Sequence, residues 1–291
     1  MNDRAQYENL LITNRPEKGH ISVNWLGTAG LYIADETCGF YIDPYVSRSG
    51  LFNIFAGTPL LSRPEQVDAW IEKTQGRDAK AVFVSHSHFD HVLDAPAFAG
   101  KTGARLIGSE STAWVGRSHG LPGGQLLCPG GEKIILGNFT ITVLESRHGP
   151  AFLGRIPFPG VIDGPITIPS PAGNYRLGKT YSLVIGHPSG TLVHHGSAGF
   201  LPGMYDGIRA DVIFLGITGA KDLSAYMEEV PVSLGVKMLI PIHFDNFFKP
   251  LEEGKITFIQ NGATKKFWKH MDGNDYGFKV RTLPIGRTVG L

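Results

Sequence analysis

The sequence predicts an α/β domain, with sheets covered by helices, on three observations. Short apolar runs rich in β-branched and aromatic residues recur behind turn signals, helical periodicity separates some of them, and glycine and proline are abundant. The chain carries 38 Gly and 19 Pro in 291 residues, about 20% against the roughly 12% of average usage, and has no collagen period. These residues punctuate many short elements and loops, which excludes a helical bundle.

The elements follow in order. Strands are expected at 21–26, 31–34, 39–42, 81–84, 105–107, 133–144, 181–185, 191–193, 211–215 and 237–242. A helix is expected at 64–74, where Pro64 suits a first turn and Val67, Trp70 and Ile71 recur at offsets of 3 and 4. Residues 92–99 and 222–234 are the other helical segments, the second interrupted at Pro231. Early strands come in pairs and later ones alternate with helices. No repeat or linker divides the chain, so residues 1–291 read as a single domain.

Two segments are long for ordinary connections. Residues 44–64 carry Val46, Leu51, Phe52, Ile54, Phe55, Leu60 and Leu61, and residues 149–173 hold six Pro and five Gly among side chains that include Phe152, Leu153 and Phe158. Their apolar content favours ordered covers. Such covers enclose an apolar or amphipathic small-molecule substrate, or they form a homo-oligomer interface.

Composition narrows the class further. With 27 Lys and Arg against 26 Asp and Glu the net charge is +1, and no basic run supplies the concentrated positive face that nucleic acid or an anionic membrane surface requires. The first twenty residues lack an apolar stretch suited to a secretory signal. Residues 180–205 carry no charge but include three His, two Pro and five Gly, too polar and broken for a membrane span. Cys38 and Cys128 stand far apart, which offers neither a disulfide framework nor a cysteine zinc pattern. A cytoplasmic setting is expected.

Chemistry concentrates in Ser85-His86-Ser87-His88-Phe89-Asp90-His91, between an expected strand and an expected helix. In extended chain His86, His88 and Asp90 point the same way and His91 is displaced, so two neighbouring metal positions are served. Imidazole and carboxylate are ligands that zinc, manganese and iron accept. In a chain with this content of His and Asp the pattern H-x-H-x-D-H is expected by chance only about 8 times in 10,000, so a polar turn of surface histidines is a poor explanation.

The motif resembles the signature of the metallo-β-lactamase superfamily. Trp25-Leu26-Gly27-Thr28-Ala29-Gly30, Gly39-Phe40-Tyr41-Ile42-Asp43-Pro44 and Leu239-Ile240-Pro241-Ile242-His243-Phe244 resemble other parts of that pattern. The resemblance implies a four-layer αββα sandwich with a metal site at one edge. It implies His86, His88 and His148 as one site and Asp90, His91 and His243 as the other, with Asp90 also orienting the attacking water.

One departure stands out. The family's bridging carboxylate sits in a Gly-Asp-Thr-Gly-like turn, and here the matching stretch is Gly196-Ser197-Ala198-Gly199. A neutral hydroxyl is a much poorer ligand than a carboxylate. Three outcomes stay open: a binuclear site weaker at one position, a mononuclear site, or completion by His194 or His195. The expectation is one tight zinc and a second, weaker ion, with manganese or iron as alternatives. Asp43 reads as an orienting residue or a turn cap, and Asp94 and Asp245 also lie close to ligands in sequence.

The expected activity is metal-dependent hydrolysis of a small ester, lactone or phosphoester, since a metal-activated water attacks all three. The resemblance is greatest to the branch containing the L-ascorbate-6-phosphate lactonase and the N-acyl phosphatidylethanolamine phospholipase D type enzymes. The alternative is a metal- or ligand-binding member in which loss of the bridging carboxylate has ended catalysis.

Overall fold

The computed structural model describes residues 3–151, 153–260 and 262–291; Phe152 of the second cover lies outside the described residues. Strands β1 (Ser22–Trp25), β2 (Leu31–Ala34), β3 (Gly39–Ile42), β4 (Ala81–Phe83), β5 (Arg105–Ile107) and β6 (Leu126–Leu127) build one sheet. Strands β7 (Ile134–Leu136), β8 (Phe139–Ser146), β9 (Thr180–His187), β10 (Gly190–His195), β11 (Val212–Gly216), β12 (Met238–Ile242) and β13 (Lys279–Val280) build the other. The last strand, β14 (Thr288–Gly290), returns to pair with β1, giving two seven-stranded sheets among the described residues.

Helices α1 (Asp3–Asn9), α2 (Leu51–Phe55), α3 (Pro64–Thr74), α4 (Phe89–Val92), α5 (Ala95–Thr102), α6 (Glu110–Ser118), α7 (Leu223–Met227) and α8 (Ala263–Asp272) complete the fold. Helices α5 and α6 lie against β4, β5 and β6. On the second sheet, Tyr226 of α7 donates from its hydroxyl to the Gly216 carbonyl at the end of β11 (3.0 Å). The layers run helix, sheet, sheet, helix, as expected.

The sheets meet over aromatic side chains. Phe40 of β3 sits edge to face with Phe139 of β8 at 5.2 Å, and Trp25 of β1 stacks on Phe244 just past β12 at 5.4 Å. All four are buried, and removing so much ring surface from water is the main force joining the layers.

Several expected elements differ in detail. The run 133–144 is a hairpin, β7 and β8, because Gly137 takes a positive φ of 54° that reverses the chain. The helix expected at 92–99 is two helices, α4 and α5, broken around Asp94. The segment 222–234 is α7 followed by a π-helical turn, Glu228–Val232, that contains Pro231; proline lacks the donor that would continue an α-helix. Among the described residues no helix is long and apolar enough to cross a membrane.

The covers are joined. Asp94, fully buried, accepts from the amides of Val46 and Ser47 (both 2.7 Å) and from the Ser62 hydroxyl (2.5 Å). Leu60 and Ser170 form an antiparallel bridge between the two covers. Helix α2 rides on the first with Phe52 82% exposed, and Leu153 on the second is 87% exposed.

Candidate metal centre

Between the end of β4 and the start of α4 the chain carries the histidine motif past the sheet edge. His88 is the N-cap of α4, with φ −64° and ψ 151°, and Asp90 and His91 fall in the helix's first turn. This corrects the alternate-residue convergence of His86, His88 and Asp90, because helical backbone begins before Asp90. Instead His86, His88 and His148 form one trio and Asp90, His91 and His243 another. Within each, the ligand-type atoms lie within 4.8 Å of one another. His148 comes from the loop after β8 and His243 directly follows β12, so each trio draws on both sheets.

The trios are neighbours. The rings of His86 and His91 have centroids 3.9 Å apart, and His86, His88 and His148 are mutually edge to face at 4.7 to 4.8 Å. In the second trio His243 Nε2 lies 3.2 Å from His91 Nε2 and 3.3 Å from Asp90 Oδ2.

Outer contacts fix which ring nitrogen faces inward. His148 donates from Nδ1 to the Gly149 carbonyl (2.6 Å) and His91 from Nδ1 to Asp43 Oδ2 (2.8 Å), leaving Nε2 of each ring to face its trio. The Nε2 atoms of His86 and His88 are buried without a hydrogen-bond partner. Buried nitrogen lone pairs converging on a point, beside an ionised carboxylate, are what a divalent cation satisfies, so these residues fit a metal.

Electrostatics agree with that donor set. Burial, reinforced by the neighbouring rings His91, His88 and His148, holds the His86 imidazolium form well below its usual range. Burial lowers His88 to about 4 against the opposing pull of Asp90, and lowers His148 to about 3 with help from His88. Burial alone would raise Asp90, but the facing His91 and His243 more than offset it and keep the carboxylate ionised. His91 moves the other way: burial is outweighed by Asp43 and Asp90, which raise it. A cation at its Nε2 is therefore favoured, whether a proton or a metal ion.

The backbone is strained where it delivers these groups. Thr28 (φ 50°), Asp43 (φ 44°), Phe158 (φ 41°) and His243 (φ 58°) all take left-handed conformations, which cost non-glycine residues about 1–2 kcal/mol each. Asp43 accepts from the Ser85 amide and hydroxyl (both 2.6 Å) as well as from His91, so it is an orienting residue.

In the turn 196–199 the Ser197 hydroxyl accepts from the Gly149 amide at 3.3 Å. Gly199 lies so close that a Cβ there would sit 2.5 Å from the Arg147 oxygen and 2.6 Å from the His148 carbonyl carbon. Both ring nitrogens of His195 are engaged, Nε2 with the Gly199 carbonyl (2.7 Å) and Nδ1 with the Tyr205 hydroxyl (2.8 Å). His194 contacts the Ala29 carbonyl (2.9 Å) through Nε2. The turn braces His148 from behind, and neither histidine joins a trio.

Asp94 anchors the first cover rather than touching a ligand, and Asp245 pairs with Arg48 (2.7 Å). Sequence reasoning missed Arg48, Thr28, Ser85 and the aromatic neighbour Phe247, and it named Phe158 only as part of the second cover. Phe247 lies edge on to His243 at 5.3 Å and Phe158 edge on to His88 at 6.4 Å. Ser85 could have been read from its place inside the motif, but nothing local marks Arg48, whose partner is remote in sequence.

Comparison with known proteins points the same way. Residues 57–127, which contain the H-x-H-x-D-H motif, match the family model described as metallo-beta-lactamase superfamily. A UPF0173 metal-dependent hydrolase of Rhizobium meliloti is 30% identical over 134 residues, covering 45% of this chain and 49% of that protein, so the chain spans about half the length of this relative. Another, from Myxococcus xanthus, is 28% identical over 242 residues, covering 81% of this chain and 74% of that protein. Among solved structures, Igni18, a metallo hydrolase from Ignicoccus hospitalis, superposes with a TM-score of 0.59 at 18% identity, over 93% of this chain and 98% of that one.

Proposed function

We propose that this chain, whose residues 57–127 match the metallo-beta-lactamase superfamily model, is a metal-dependent hydrolase acting on a small, uncharged ester or lactone. The supporting observation is the pair of adjacent trios, with the Nε2 atoms of His86 and His88 in the first buried and unpartnered. In this reading His86, His88 and His148 hold the tighter ion, and Asp90, His91 and His243 hold a second. Zinc is the assigned metal, because three imidazoles with an open position suit it; the two-histidine, one-carboxylate trio would also take manganese or iron. Bound ions would supply Lewis-acid polarisation and acidify a water.

The chain's own residues would do the rest. Asp43 and the Gly149 carbonyl hold His91 and His148 with Nε2 inward, and Asp90, kept ionised by its histidine neighbours, accepts a proton or orients the nucleophile. Phe158 and Phe247 present apolar walls beside the two trios, and Arg48, the cation behind Thr28, is 5% exposed and committed to Asp245. These features favour a neutral, partly apolar substrate over a phosphoester. The two free cysteines fit the reducing, cytoplasmic setting that the reading assumes.

The second position is read as the weaker one because Ser197 supplies no bridging charge. That same residue favours a second reading, a catalytically reduced binding protein. A screen of esters, lactones and phosphodiesters with zinc-, manganese- and iron-loaded protein separates them. Turnover of an ester or lactone that falls roughly a hundredfold or more in His86→Ala is expected, whereas loaded wild type inert across the whole panel would establish the binding reading.

A further inference from the structure

The segment that opens the first cover is tied to the ligand loop of the second trio by a buried relay. The Arg48 and Asp245 side chains, each 2% exposed, pair at 2.7 Å. Arg48 also donates to the Thr28 hydroxyl and to the Asn246 carbonyl, both at 3.1 Å. Asp245 Oδ1 accepts from the Thr28 amide (2.7 Å), and the Thr28 carbonyl accepts from the His243 amide (2.8 Å). On the far side, Thr218 donates from its hydroxyl to the His243 carbonyl. Both Thr28 and His243 sit in left-handed backbone, a conformation that persists only when its surroundings over-determine it. Close packing reserves the space: a Cβ at Gly27 would fall 2.1 Å from Arg48 Nη2 and 2.8 Å from Asp245 Oδ2.

Resting on the hydrolase reading above, we infer that Arg48 and Asp245 are positioning residues for the second metal position, acting through Thr28 to hold the His243 imidazole against His91 and Asp90. Neither touches the trio, and the relay gives each a path to it. A buried ion pair is poor evidence of a stability role by itself, since apolar replacement of both partners is often neutral or stabilising. Here the pair's geometry is spent on one strained peptide that carries a ligand.

The test is a stepwise zinc titration of metal-free protein, with the two steps assigned by His86→Ala and His243→Ala and with melting temperature followed in parallel. Asp245→Asn and Arg48→Met are expected to weaken the second step at least about tenfold and leave the first unchanged. The double variant Arg48→Met/Asp245→Leu keeps an apolar, filled interior, so it is expected to melt near wild type and still lose the second step, which a purely structural role would not produce. Second-step affinity at the wild-type value in the folded double variant overturns the inference, as does parallel loss of both steps. Wild type that binds one ion only also overturns it but spares the hydrolase reading; wild type that binds no ion at either trio sinks both.

Discussion

Asp43 accepts three hydrogen bonds of 2.8 Å or less and in doing so fixes a strand end, the turn before His86 and the orientation of His91. The residue types of the H-x-H-x-D-H run pointed to His86, His88, Asp90 and His91, whereas His148 and His243 were named only through the resemblance, because nothing local marks either of them. Ser197 stands in its turn with its hydroxyl accepting from the Gly149 amide of the His148 loop. At this scale a pH dependence follows. Burial lowers His195 to about 4, as it does His88, so between the unfolded value near 6.5 and that folded value the unfolded chain binds more protons. Stability is thus complete above about pH 7 and falls as pH drops toward 4, by about 3 kcal/mol for each such histidine. Urea midpoints of metal-free protein should decline over that range, while His91, which is raised in the fold, contributes fully below about 6.5 and loses its contribution only as pH rises above that; a flat profile between about 6.5 and 4 would contradict the assignment.

Elements were less legible than residues. The hairpin of β7 and β8 hides in one apolar run, and its signal is a single glycine followed by Asn138. Helix α8 was missed although Thr264, Phe267 and Trp268 recur at offsets of 3 and 4, the same spacing that marked α3. The covers were found by length and apolar content, but not α2 within the first or the Asp94 anchor beneath it. Asp94→Ala would leave the buried amides of Val46 and Ser47 without their acceptor, at about 1–3 kcal/mol each. We expect a lower melting temperature and proteolytic cleavage within 44–64, measured by calorimetry and limited digestion; an unaltered digest would show that the anchor is dispensable.

At the scale of the whole molecule, the ligand loops leave the two sheets at a common edge, so each trio spans the seam between layers. Ions bound there would cross-link the sheets. Ligand at a thousandfold excess over its dissociation constant adds about 4 kcal/mol to stability, and for a chain of this size that corresponds to roughly 10 °C in melting temperature. Chelation should lower the transition by about that amount, and metal return should restore it; identical melting curves would place the ions, if bound, outside the seam. The layer order itself was implied by resemblance of the motif's surroundings. Alternating strands and helices alone specified only sheets with helical cover.

Gly199 carries a consequence for how this sequence can drift. A Cβ added there would press on the backbone of Arg147 and His148, atoms that no rotamer change can move aside. Alanine, the smallest replacement, would push the loop that carries His148 away from its position. Position 199 therefore admits one amino acid as long as His148 stays where it is, and a saturation library at that codon would return glycine alone.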